Sequence, residues 1–261
     1  TELRSRYALQ FTEIHFLGVS LGALEGAHLS IIDTEEKKVG IDKYLLINPP
    51  LDLAYAMRKI DEWSAFAVKL GPEKSQQLVA RGLAIVDSFA EVRRDDPSVF
   101  ERLAKKLSGF STEEIQFLVG ATLTNQLPEL VYVTQVIHDQ QIFTAPKNDM
   151  RKRLEEAKGF TFGDYDRRIA LPRWQKQTGD SQVDAQSFIE RGSLAYILDR
   201  QRDNPKVHIM HNADDFLAEP KSIEALKERL GNQMPLYRYG GHLCKLWYPQ
   251  NKSGILNYFP R

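Results

Sequence analysis

The chain is short of the features that would assign it to several protein classes. It has one cysteine, Cys244, among 261 residues, so no intrachain disulfide and no cysteine metal cluster can form. It carries no excess of either charge: 35 basic residues face 35 acidic ones. A nucleic-acid-binding or anionic-membrane-binding surface built on net basicity is therefore not expected. No apolar run approaches the roughly 20 residues that span a bilayer. There is no convincing internal repeat and no low-complexity tract. No leader segment is visible, and the compartment is left open. The length suits one large domain, or one domain with a sizeable insertion.

What is present starts with Gly18-Val19-Ser20-Leu21-Gly22. An apolar run (Ile14, Phe16, Leu17) precedes it and a helix-like run (Ala23 to Ile32) follows. A serine at a sharp strand-to-helix turn is forced into a sparsely populated backbone conformation, with its hydroxyl projecting from the sheet end. Neighbouring chain must then approach closely, which assigns Gly18 and Gly22 to small-residue positions. The backbone N–H of Leu21 and the helix start beyond it would favour a developing oxyanion.

The pattern around this turn reads as α/β. Residues 13–18 and 44–47 read as strands and 20–34 as the helix between them, a βαβ unit and hence a parallel sheet. Asn48-Pro49-Pro50 stops the second strand. From residue 54 to 203 strand signals fade and helical periodicity takes over. Leu53 to Leu70 is closed by Gly71-Pro72. Residues 73–95 show an apolar stripe that includes Leu78, Phe89 and Val92. Residues 97–107 form a short helix. Ser111-Thr112-Glu113-Glu114 fits a capping box opening a long helix that Pro128 divides. Residues 145–182, with Gly159, Gly163, Pro172 and Gly179, read as loop-rich, and 184–202 as helix. Strands then return at 207–211 and 236–239, with a proline-started helix at 220–230 between them and a short closing helix. The division that follows is a core of residues 1–53 and 204–261, with a sheet of about four strands, and an all-helical insertion over 54–203.

A serine hydroxyl needs a base, and the base needs an acid to fix its tautomer. Asp214 and Asp215 follow the strand at 207–211, and His242 follows the strand at 236–239. Each stands just past the carboxyl end of its strand, as Ser20 does, and those ends share one crevice in an open parallel sheet. Asn48 occupies the same position after the second strand. His208 and His211, three apart on a strand, point to opposite faces and cannot chelate one metal. A metal built from His211, Asp214 and Asp215 is conceivable on residue types alone, but no metal is assigned. His15, His28 and His138 read as structural. Leu243, Leu246 and Trp247 read as packing behind His242.

Three segments, HFLGVSLG at 15–22, VHIMHNADDFL at 207–217 and YGGHL at 239–243, resemble the α/β-hydrolase superfamily. The match spans roughly 110 residues of sheet and flanking helix and leaves 54–200 uncovered. The resemblance implies Ser20 as nucleophile, His242 as base and Asp215 as acid, with Asp214 the alternative acid. It implies no cofactor. The substrate class would be an ester or related acyl compound, apolar in view of Trp63, Phe66, Phe89, Phe117 and Tyr132. The helical segment would then be a lid. The other reading is a non-catalytic scaffold whose helical segment binds a protein partner. The family's sheet usually has about eight strands, and the four here correspond to its last four. A chain truncated at its N-terminus is therefore expected. So are an uncovered edge at the first strand and the lack of a second oxyanion donor.

Overall fold

A computed structural model describes residues 12–37, 39–90, 99–201, 204–242 and 249–259. Leu243, Cys244, Leu246, Trp247 and Val92 lie outside these, as does the side chain of Phe89. The chain divides into two compact units, one formed by Thr1–Ala56 with Gln186–Arg261 and the other by Met57–Ala185.

The first unit is α/β. Its four strands, β1 (His15–Val19), β2 (Lys43–Ile47), β3 (Val207–Asn212) and β4 (Leu236–Tyr237), lie in the order β1-β2-β3-β4, all parallel. Helix α1 (Leu21–Glu36) links β1 to β2. Side chains alternate across β2, so both of its faces must be covered. Tyr44 and Leu46 face a core with Ala23, Leu24, Ala27 and Ile31 of α1. Leu45 and Ile47 face the opposite way, with Met210, Ile255, Tyr258 and Phe259. All four of these β2 side chains are at most 1% exposed. β1 pairs on one side only among the described residues, and its Leu17 is 47% exposed.

The second unit is helical. Helix α2 (Leu53–Ser64) crosses its boundary and is followed by α3 (Phe66–Leu70), α4 (Pro72–Ala90), α5 (Val99–Leu107), α6 (Thr112–Thr124) and α7 (Leu127–Ile137). The capping box at Ser111 forms with both of its bonds, and Pro128 sits in the first turn of α7, where its missing N–H costs nothing. Residues 145–182 depart from the loop-rich expectation. They hold α8 (Met150–Ala157), α9 (Phe162–Tyr165), a π-helical turn (Asp166–Ala170) and α10 (Leu171–Thr178). These segments are too short for a periodic stripe, and end chemistry defines them instead. Asp149 caps α8, Thr161 and Asp164 form a second capping box, and Gly179 supplies a left-handed stop. Of the aromatic residues that suggest an apolar substrate, Phe117, Phe66 and Tyr132 pack into the cores of this unit. Phe117 is 4% exposed beside Leu78 and Phe110, Phe66 packs against that cluster, and Tyr132 against another around Val131.

The second unit ends at Ala185, short of the boundary at 203 expected for the insertion. Helices α11 (Ala185–Arg191) and α12 (Leu194–Gln201) precede β3. Leu194, Ile197 and Leu198 of α12 are buried in the sheet core beside α1. A parallel strand pair needs a covering crossover, and α12 is the one between β2 and β3. Helix α13 (Pro220–Leu230) links β3 to β4, and α14 (Pro249–Tyr258) closes the described chain.

Candidate active site

Ser20, Asn48, Asp215 and His242 all follow the carboxyl ends of strands in the first unit. Ser20 ends β1 with φ 54° and ψ −122°, a conformation non-glycine residues rarely adopt. The fold holds it there from both sides. Its N–H donates to Ile47 O at 2.8 Å, and its carbonyl accepts from Ala23 at 2.9 Å and Leu24 at 3.2 Å. Gly18 is needed for this path: a Cβ there would stand 2.5 Å from Gly22 O and 2.7 Å from Ala23 Cα. Gly22 is different from the sequence expectation, since a Cβ there meets nothing within 4 Å. The second close approach belongs to Gly26, whose Cβ would collide with the ring of Phe16. Helix α1 rests on β1 and β2 one turn beyond the place the motif suggests.

The Ser20 hydroxyl oxygen lies 2.7 Å from His242 Nε2. On the far side of the ring, His242 Nδ1 lies 3.1 Å from Asp215 Oδ1 and 3.0 Å from Oδ2. His242 is 8% exposed and Asp215 4%. Phe216 packs edge-on against the imidazole, with ring centroids 5.9 Å apart. Asp215 also accepts the Leu217 N–H at 2.9 Å on Oδ1 and the Asn48 side-chain amide at 2.9 Å on Oδ2. Burial pushes the Asp215 pKa upward. The bond from His242, the fields of His242 and His211 and the Asn48 amide outweigh it, so the carboxyl lies below its ordinary value. An ionised, acceptor-only Asp215 takes a proton from neither partner and draws the ring N–H to Nδ1, which leaves the Nε2 lone pair for the Ser20 hydroxyl.

Asp214 stands elsewhere. Its Oδ1 accepts the Gly241 N–H at 2.7 Å, so it braces the loop before His242. His208 points toward α14, its Nδ1 2.9 Å from the Tyr258 hydroxyl. His211 is fully buried, with Nε2 3.7 Å from Asp215 Oδ2 and Nδ1 3.0 Å from Asn212 O. Burial outweighs the Asp215 field and lowers its pKa. Leu21 is the first residue of α1, so its N–H is among those a helix leaves without an internal partner. Among the described residues no group of three or more His, Cys, Asp or Glu is disposed to hold a metal ion. No described helix is long and apolar enough to cross a membrane.

Sequence reasoning missed Asn212 and the contact of His211 with Asp215. Both sit in His211-Asn212-Ala213-Asp214-Asp215, where two polar side chains directly end an apolar strand. That was the available signal. No protein-family model, no curated protein and no solved structure matches the chain.

Proposed function

We propose that the chain is a serine hydrolase of the α/β-hydrolase kind, acting on an ester or related acyl substrate. One observation carries this reading: the unbroken chain of contacts from the Ser20 hydroxyl through His242 to Asp215, with Ser20 held at positive φ. Strain is retained where a surrounding structure over-determines it, and a serine aimed at an imidazole gives that strain a use.

In this mechanism Ser20 Oγ attacks the substrate carbonyl carbon while its proton passes to His242 Nε2. The Leu21 N–H and the start of α1 stabilise the oxyanion. Ionised Asp215 stabilises the imidazolium. As the carbonyl re-forms, the leaving alkoxide departs with the proton from His242. A water then attacks the acyl-serine, gives its proton to His242, and releases the acid with the Ser20 hydroxyl restored. Peptide, thioester and acyl-transfer chemistry run through the same three groups, and a panel of acyl substrates separates them.

A labelled fluorophosphonate tests the reading. Folded protein is expected to be modified at Ser20. Labelling should vanish in Ser20→Ala and be suppressed in His242→Ala. Folded protein that takes up no label sinks the proposal.

The partner-binding reading has one observation of its own. Helix α7 buries Leu127 and Val131 yet exposes Leu130, Val133, Val136 and Ile137 by 46–65%. An apolar stripe of that kind on a helical unit suits a docked protein. It gains ground if folded protein fails to label.

A further inference from the structure

The polar groups behind the three site residues close into a ring. Asn48 donates its side-chain amide to Asp215 Oδ2 at 2.9 Å. Asn48 Oδ1 accepts from Asn212 Nδ2 at 3.2 Å, and the same Nδ2 donates to Gly241 O at 2.9 Å. Gly241 is bonded to His242, so the path that leaves His242 through Asp215 returns to its own backbone. The direction of each bond is fixed. An ionised carboxylate only accepts, so Asn48 must turn its NH₂ toward Asp215 and its oxygen toward Asn212. Asn212 must then present NH₂, and its two hydrogens serve Asn48 and Gly241.

The molecule gives up stability to keep this arrangement. Asn48 and Asn212 are 1% and 3% exposed, and Asn212 Oδ1 has no partner among the described residues. An unmet buried acceptor is costly, and an apolar side chain would avoid it. Asn48 is held at φ 47°, in the left-handed region that asparagine tolerates better than most residues. Gly240 leaves room for the amide, since a Cβ there would stand 2.5 Å from Asn212 Cγ. Gly241, at φ 53°, has its N–H bound to Asp214 and its carbonyl to Asn212, so the peptide before His242 is gripped on both sides.

We propose that Asn48 and Asn212 are positioning residues: linked to each other, they orient Asp215 and the Gly241 backbone so that His242 offers Nδ1–H to the acid and Nε2 to Ser20. The inference rests on the hydrolase reading of the same site, and its test has one readout that needs no catalysis. In full-length protein labelled with ¹⁵N-histidine, NMR reports which ring nitrogen of His242 carries the proton, with His242→Gln identifying the signal. Wild type is expected to hold the Nδ1–H form. Asn48→Gly keeps the positive φ but removes the amide, and Asn212→Ala removes the link. Each should raise the Nε2–H population and slow Ser20 labelling about tenfold, the scale of one hydrogen bond to a charged group. With an ester substrate the loss should fall on kcat and leave KM unchanged. The double variant should be no worse than about the slower single one, because both act on one path. Should Asn48→Gly not fold, Asn48→Asp keeps the shape and the φ preference while setting a second carboxylate against Asp215, and a slowed reaction with a changed tautomer is again expected. Folded variants whose tautomer and labelling rate stay within about twofold of wild type overturn the proposal. Wild type that fails to label, while the tautomer shifts in the variants, overturns the hydrolase reading and leaves the positioning role standing.

Discussion

Buried acids are treated differently in the two units. In the sheet unit, Asp33 and Asp215 are 6% and 4% exposed, and both oxygens of each are engaged. In the helical unit, Asp166 is equally buried at 4%, but its Oδ2 has no partner among the described residues. The cause lies in where free backbone N–H groups occur. Inside a helix each is committed to a carbonyl four residues back, so a buried side chain finds none. Strand ends and loops turn theirs outward. Asp33 collects the N–H groups of Val39, Gly40 and Ile41 at 2.7–2.9 Å, and the Tyr44 hydroxyl at 3.3 Å, as the chain rounds from α1 to β2. The strand ends and loops of the sheet unit thus satisfy both oxygens of their buried acids, whereas Asp166, buried within a helical run, finds no partner for Oδ2 among the described residues.

The largest test of that contrast is Asp215→Asn. The amide keeps the shape, but it cannot accept from both Asn48 and His242 as a carboxylate does. A neutral partner also no longer stabilises the imidazolium or fixes its tautomer. Ser20-dependent turnover or labelling should fall by about 10⁴-fold, the scale seen when the acid of such a triad is neutralised. A loss of less than about tenfold would show that the bonded carboxylate is not what prepares His242. Next in size is Asp33→Asn, read in stability. Burial raises the Asp33 pKa, but bonds from Ile41, Gly40, Val39 and Tyr44 outweigh it and leave the pKa below its ordinary value. A depressed carboxylate stabilises the fold above its unfolded pKa, and that contribution disappears as pH falls through the folded value. The variant should therefore lose about 2 kcal/mol at neutral pH, and the gap from wild type should close in strong acid. Urea unfolding at several pH values measures both. A penalty that does not change with pH would assign the effect to packing.

The site residues nearest in kind to a motif were legible in the sequence. Ser20 stands out because its glycine neighbour and its strand-to-helix setting are local. The choice of Asp215 over Asp214 rests on the resemblance, and the structure shows Asp215 accepting the Leu217 N–H. The partners of Asn212 were not legible, because Asn48 and Gly241 are brought to it by strand register: Ile47 pairs with Met210 across β2 and β3. Nothing within ten residues of Asn212 encodes that pairing. The same limit explains Gly26, whose constraint comes from a ring on β1. The helical stretch over 150–178 failed for the opposite reason. Its information is local but lies in caps, so Pro172 and Gly179 read as breaks where they are a first-turn residue and a stop.

Asp166 supplies an expected effect similar in size to that of Asp33 and of opposite sign. It opens the π-helical turn, where the Leu171 N–H reaches back to the Asp166 carbonyl, one residue beyond the ordinary helical partner. Pro172 has no N–H to restore regular spacing. Burial pushes the Asp166 carboxyl up to about 6, against a smaller downward pull from Arg167. The folded state therefore holds its proton more tightly than the unfolded chain. Stability should fall as pH rises from about 4 through about 6, and the full penalty is present above that range. Asp166→Asn removes the charge and adds two amide hydrogens at nearly constant volume. It should stabilise the protein by about 2 kcal/mol at pH 8 and by little below about pH 4. Chemical denaturation of the full chain at the two pH values decides it. A variant less stable than wild type at pH 8 would mean that the buried oxygen is held by something other than its proton, and that the two units treat their acids alike.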